Sequence, residues 1–287
     1  MSLVAQKTDM RYNLQTGKDY TITQTVSTVT SQDAMGMTVD VTNEAKYVIS
    51  YKVKSFDTGI YNMEVNYKSI LTESYSPYGN SKSDSDSDGQ DPGSKLFRGM
   101  KDNPFNIKMT DKGEVTEVTG LDEMIEKIIS DPSFSAQEKA VIREQLKPSF
   151  DKESFKKSIT TLMSLPKDPI AVGDKWDHNT AIETNGIKMD INTKYEYAGM
   201  ADGMWIIKGT STIKTPAGTR LSAQGMDMDV DLKGTMTSEM KYDQKTGWIS
   251  AGTTKEDVNG TMSMEIPMQG PMDIGVKTAT KSTISGK

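Results

Sequence analysis

The sequence predicts an α+β protein. It would hold one large, curved antiparallel sheet, an open or half barrel made of two repeated β units, with about three helices inserted between them and packed on the concave face. Three observations predict this. Apolar residues alternate with period two towards both ends of the chain, the spacing becomes helical in the middle, and four short motifs recur in the same order.

The strands come first. Tyr47, Ile49, Tyr51 and Val53 share one parity, as do Tyr61, Met63, Val65 and Tyr67. Late in the chain Met226, Met228, Val230 and Leu232 alternate with Asp227, Asp229 and Asp231, and Met262, Met264, Ile266 and Met268 repeat the pattern. Such runs are half-buried antiparallel strands, apolar on one face and wet on the other. A hydrophobic content of only 34% suits a sheet of that kind.

The helices follow. Leu121, Met124, Ile125, Ile128 and Ile129 lie on one helical face, and Asp131-Pro132 stops it. Ser135 and Glu138 have capping-box spacing and open a second helix, expected to end before Pro148. A third carries Phe155, Ile159, Leu162 and Met163 and ends before Pro166.

The repeat joins the two β regions. Gly17–Tyr20 answers Gly173–Trp176, and Gly36–Tyr47 answers Gly186–Tyr195. The segment from Asp57 answers that from Asp202, and Ile107–Gly120 answers Glu239–Gly252. The expected organisation is a disordered terminus or signal remnant at 1–10, a first β unit at 11–120 with a flexible loop at 80–95, a helical insert at 121–165, and a second β unit at 166–287. All belong to one integrated domain. Tyr20 and Trp176 are expected to anchor strand starts.

The runs "NPFNIKMTDKGEVTEVTGLDEM" and "LPKDPIAVGDKW" resemble an uncharacterised family of exported bacterial proteins. Phe105, Gly113, Val115, Val118 and Gly120 carry the first motif, and Pro166, Val172, Gly173, Asp174 and Trp176 the second. The family has no assigned activity. The resemblance implies a fold similar to the half-barrel lipoprotein carriers and an exported, periplasmic or cell-envelope location. With no cysteine near the start, it implies a soluble form rather than one anchored through a lipidated cysteine. Ser2–Lys7 reads independently as the tail of a secretory signal.

The chemistry is narrowed mostly by exclusion. There is no cysteine, which rules out disulfides, thiolate nucleophiles and zinc–thiolate sites. A net charge of -6 argues against nucleic acid as a partner, and no apolar run approaches a membrane-spanning helix. His178 is the one histidine and is read as a solvated or turn residue, with no serine motif beside it. No enzyme activity and no cofactor are expected. Asp84, Asp86, Asp88 and Gly89 copy the first half of a calcium loop, but Lys95 stands where the bidentate Glu belongs, and Pro92-Gly93 should break the helix that follows. Thioether pairs such as Met226/Met228 raise copper, but strand alternation accounts for them.

The function expected is therefore a non-catalytic, exported binding module. Its ligand is a hydrophobic or amphipathic small molecule lined by Met226, Met228, Val230, Met262, Met264 and Met268. The alternative is a structural or interaction protein whose core is filled. The strip Asp227, Asp229 and Asp231 is expected to be a solvated face, guarding an edge if its strand lies at one.

Overall fold

The computed structural model describes residues 7–34, 36–149, 152–184, 186–223, 226–266 and 270–287. The first β region comprises β1 (Asp19–Ala34), β2 (Met37–Asp57), β3 (Ile60–Ser76) and β4 (Gly79–Asp84), then α1 (Pro92–Asp102), β5 (Phe105–Thr110) and β6 (Val115–Thr119). Three helices follow: α2 (Leu121–Ser130), α3 (Ala136–Ser149) and α4 (Lys152–Met163). The second β region comprises β7 (Lys175–Thr184), β8 (Ile187–Ala201), β9 (Met204–Lys214), β10 (Arg220–Ala223), β11 (Met226–Asp243), β12 (Ile249–Ile266) and β13 (Gly270–Gly286).

All thirteen strands form one sheet in the order β6-β5-β3-β2-β1-β13-β12-β11-β9-β8-β7, with β4 added to β3 and β10 to β11. Every pairing is antiparallel. The β1–β13 ladder joins the two regions into one body. The sheet is not closed, because β6 and β7 are both edges. It curls far enough for α4 to touch both edges. The face that looks towards the helices is therefore concave.

Each β region begins with three antiparallel neighbours, β1-β2-β3 and β7-β8-β9, and the third pairs onward to a hairpin, β5-β6 or β11-β12. Their turns match as well: Gly17 and Gly173, Gly36 and Gly186, and Thr58 and Asp202 all have positive φ.

One end of the concave face is packed. Tyr61, Met63, Val65, Phe105 and Ile107 from the first region meet Trp205, Ile207, Tyr242 and Ile249 from the second, with Leu121, Met124, Ile128 and Met163 from the helices. The amino-terminal segment runs through the same core. Thr8 forms a β-bridge with Ile170, and Met10, Tyr12 and Leu14 are buried. The disorder expected over 1–10 thus does not hold at Thr8–Met10, where alternating apolar residues are drawn into the core. Residues 1–6 lie outside the described residues.

Two helix expectations change. The stretch 80–95, expected as a flexible loop, contains β4 and the start of a fourth helix, α1. Pro92 starts this helix rather than breaking it, since at the first turn its missing N–H costs no hydrogen bond. α3 includes Pro148 in its last turn instead of ending before it. The capping box does form: Ser135 N–H donates to Glu138 Oε2 at 2.6 Å, and Glu138 N–H donates to Ser135 Oγ at 3.2 Å.

Asp91 caps α1 by accepting the Ser94 N–H at 2.8 Å, and it also accepts the Ser83 hydroxyl. Burial alone would push its carboxyl up, but the hydrogen bonds from Ser94 and Ser83 outweigh this and hold it below the usual carboxylate value. Asp91→Ala is expected to lower stability by about 1 kcal/mol at pH 7, measured by denaturant titration. The sign with pH follows: a depressed folded pKa gives stability that is present above the unfolded value and is lost as pH falls through the folded one. The deficit of the variant should therefore shrink below about pH 4. A deficit unchanged by acid would contradict the cap.

Candidate functional site

Strand register places one row of directly opposed residues across the concave face. From Glu256 on β12, the row runs through Thr280 and Thr28 to Asn43 and Ser74. In the other direction it runs through Met236, Ser211 and Thr193 to His178 on β7. All but Met236 are polar, and most are small. Hydroxyls bond across the strands: Thr28 to Thr280 at 3.2 Å and Thr193 to Ser211 at 2.8 Å. Directly opposed hydroxyl pairs of this kind are a normal unit of sheet stabilisation.

This belt separates two apolar zones. On one side is the packed core with the helices. On the other, Ile191, Ile213, Val230, Leu232, Val258 and Val276 form a second buried cluster. Most of the belt is only partly buried, although Thr193 and Ser211 are fully so. Glycines let the backbones approach around it. A Cβ at Gly260 would lie 1.9 Å from the Asp231 carbonyl, while at Gly209 it would meet the Tyr195 ring that covers that position.

Electrostatically the concave face is nearly empty. Along β1, β11, β12 and β13 the described residues of this parity are uncharged, with one exception, Glu256. Its carboxylate is half-buried and has no hydrogen bond or ion pair among the described residues. Removal from water, with the neighbouring Asp257 carboxylate adding to the effect, holds the Glu256 carboxyl above its ordinary value. Burial also raises the phenols of Tyr47 and Tyr195 on the same face.

The residues expected to line a ligand fall partly into place. Val230 is a buried member of the second cluster, and Met262 packs against it. Met228 and Met264 stand directly opposite each other on β11 and β12. Met226 lies in β11, but its side chain is outside the described residues, as is all of Met268. Register, which sequence periodicity does not supply, was needed to find Glu256 and the hydroxyl row.

His178 lies within β7 rather than in a turn, on the concave face, with its ring centroid 6.3 Å from that of Tyr195. Tyr20 and Trp176 both pack as strand-start aromatics, Tyr20 against Trp248 and Trp176 against Tyr195. Asp227, Asp229 and Asp231 lie on the outer face, where Arg220 pairs with Asp229 at 2.9 Å. Along the strip β11 lies between β10, where Ser222 faces Asp227 and Arg220 faces Asp229, and β12, so the strip is not itself on an edge strand.

The aspartate run is tied to its own helix. Lys101 of α1 pairs with Asp86 at 2.5 Å, and Ser69 donates to the same carboxylate. Arg98 donates to the carbonyls of Ser87 and Gly89. Asp84 Oδ1 accepts the Asp86 N–H. Asp88 contributes its carbonyl to Gln90. Lys101 thus already occupies one of the carboxylates that a loop-bound metal would need, and among the described residues no three acidic or histidine side chains converge.

Several surface hollows formed by described residues open on the outer face. One lies over Val29, Asp231, Lys233 and Lys277, and another over Lys175, Asp177, Asn192 and Lys208. No described helix is long and apolar enough to cross a membrane.

Among solved structures, a lipovitellin studied for lipid–protein interactions aligns over 96% of this chain at 11% identity, with a TM-score of 0.47. The chain spans 25% of the lipovitellin chain. The outer membrane protein OprG of Pseudomonas aeruginosa aligns over 95% of this chain and 97% of its own, at 8% identity and a TM-score of 0.28. An outer membrane channel of Pseudomonas putida F1 aligns over 96% and 98%, at 5% identity and a TM-score of 0.27. No curated protein matches the sequence. A family model matches residues 58–249, more than half of the 287-residue chain, and the chain accordingly belongs to DUF6263, a family of unknown function.

Proposed function

We propose that this protein is a non-catalytic binding protein for an amphipathic molecule held on the concave face of its sheet. One observation carries the reading: a partly exposed, hydroxyl-rich row crosses that face between two apolar clusters. A ligand with one polar and one apolar part would match both surfaces at once. Mixed linings of that kind, mostly apolar with a few placed polar groups, are usual for small-molecule sites. Met228, Met262 and Met264 beside the second cluster suit an irregular apolar chain, because thioether side chains adapt their shape. Absence of catalysis is part of the proposal, as are an exported location and a duplicated origin for the two β regions.

Native mass spectrometry of freshly purified protein, followed by solvent extraction, tests the reading. A bound species of lipid size is expected. A bare polypeptide mass, together with no uptake of an alkyl-chain probe, would overturn it. A second reading has its own support. The hollows described above open on the outer face, which fits a protein with a filled interior that docks partners externally.

A further inference from the structure

We infer that Glu256 and the hydroxyls around it form the head-group subsite of the concave face, and that this subsite takes a cationic, hydrogen-bond-donating head such as a primary ammonium. The inference rests on the binding reading above and adds the chemistry of the ligand's polar end.

The position of Glu256 is unusual for this chain. The sequence has 40 acidic and 34 basic residues, yet the strands around the concave face direct their charges outward. On β12 itself Lys255, Asp257 and Asn259 take the outer parity, and Lys255 stands opposite Lys281 there. Glu256 takes the inner parity, between Thr280 of β13 and Met236 of β11. A charged side chain on a half-buried face is costly unless something compensates it. In this sheet no cation of the protein does so among the described residues. The nearest inner-face positions on the adjoining strands are Thr278, Thr280 and Ser282 on one side and Gly234, Met236 and Ser238 on the other.

These neighbours have a definite chemistry. Ser and Thr hydroxyls can accept a hydrogen bond from an ammonium N–H and donate one to a hydroxyl beside it. They bring no competing charge. An anionic head would meet the uncompensated carboxylate and be repelled. An ammonium would neutralise it in a partly dewatered setting, where charge-assisted hydrogen bonds are strongest. The apolar part of the ligand would run towards Val258 and Val230 in the second cluster, which begins two residues along β12.

Other ionisable groups do not obscure the assignment. The facing positions of β11 and β13 present none, and Asp257 and Lys255 leave through the opposite face. His178 stands at the far end of the same row, across β11, β9 and β8 from Glu256.

Three probes that share a ten-carbon chain test the inference by isothermal titration calorimetry below their micelle concentrations: decylammonium, decyl sulfate and decyl maltoside. The expected order is ammonium tightest, with the sulfate at least tenfold weaker. Glu256→Gln, nearly equal in volume, should weaken decylammonium by roughly tenfold or more and change decyl maltoside far less. In the unmodified protein the ammonium preference should fade between pH 7 and pH 4 as the carboxylate is protonated, a readout that needs no variant to fold. Equal affinity for ammonium and sulfate, or a preference that survives both Glu256→Gln and acid, would overturn the subsite while leaving the binding reading standing. Failure of all three probes to bind would overturn both.

Discussion

Trp248→Ala is expected to cost about 3–5 kcal/mol of stability, as deletion of a large buried aromatic does. The indole is 3% exposed, at the turn that leads from β11 into β12. Its ring centroid lies 5.1 Å from that of Tyr20, 5.5 Å from Tyr51 and 6.2 Å from Tyr12. Those three rings belong to β1, β2 and the amino-terminal segment, so one side chain joins both β regions and the chain's beginning. Its Nε1 reaches the Thr21 carbonyl at 3.5 Å. Aromatic contacts of this geometry add to the area that the ring buries. Guanidinium denaturation with circular dichroism measures the loss. A midpoint within error of the parent would show that the cluster does not bear on stability.

Gly113→Ala should cause a loss of similar size, for a different reason. Gly113 has φ of 84°, a region costly for residues with a Cβ. An added Cβ would also stand 2.0 Å from the Met163 carbonyl oxygen and 2.9 Å from the Tyr12 ring. Backbone lies on that side, so no rotamer relieves the contact. The turn between β5 and β6 would have to part from the end of α4, breaking the bond from Leu165 N–H to the Lys112 carbonyl at 2.8 Å. About 3 kcal/mol or more is expected, within the range of severe backbone substitutions. Gly36→Ala provides the control: its φ is 76°, and an added Cβ meets nothing within 4 Å. It should lose only about 1–2 kcal/mol. Equal losses at the two positions would remove the steric part of this account.

Much of the fold is legible in the sequence because its signals are local. Alternation at Tyr61–Tyr67 names the buried parity directly, and Ser135 with Glu138 forms the cap that its spacing predicts. α1 escaped because serine–aspartate alternation and Pro92-Gly93 both resemble loop. The available signal was Asp91 before Pro92, a cap followed by a first-turn proline, with Leu96, Phe97 and Met100 on one face. The candidate site was only half legible. Periodicity puts Glu256 on the same face as Thr254 and Val258, but it cannot say that Thr280 and Met236 stand beside it. That knowledge needs strand order and register, which are properties of pairing across the chain. The aspartate strip shows the same gap, since nothing near Asp229 reveals that β11 lies inside the sheet.

The ladder between β1 and β13 has a consequence for how the chain reaches this state. Gln24 bonds to Ser282 across 258 residues, and Thr21 and Lys287 exchange backbone hydrogen bonds. During synthesis β1 can pair with β2 at once, but its other edge waits until β13, more than two hundred residues later, has been made. Contacts so distant in sequence make folding slow, and the waiting edge is a template for wrong partners. β1 meets this interval with Thr, Ser and Gln along most of its length, which keeps the unpaired strand hydrated until β13 arrives.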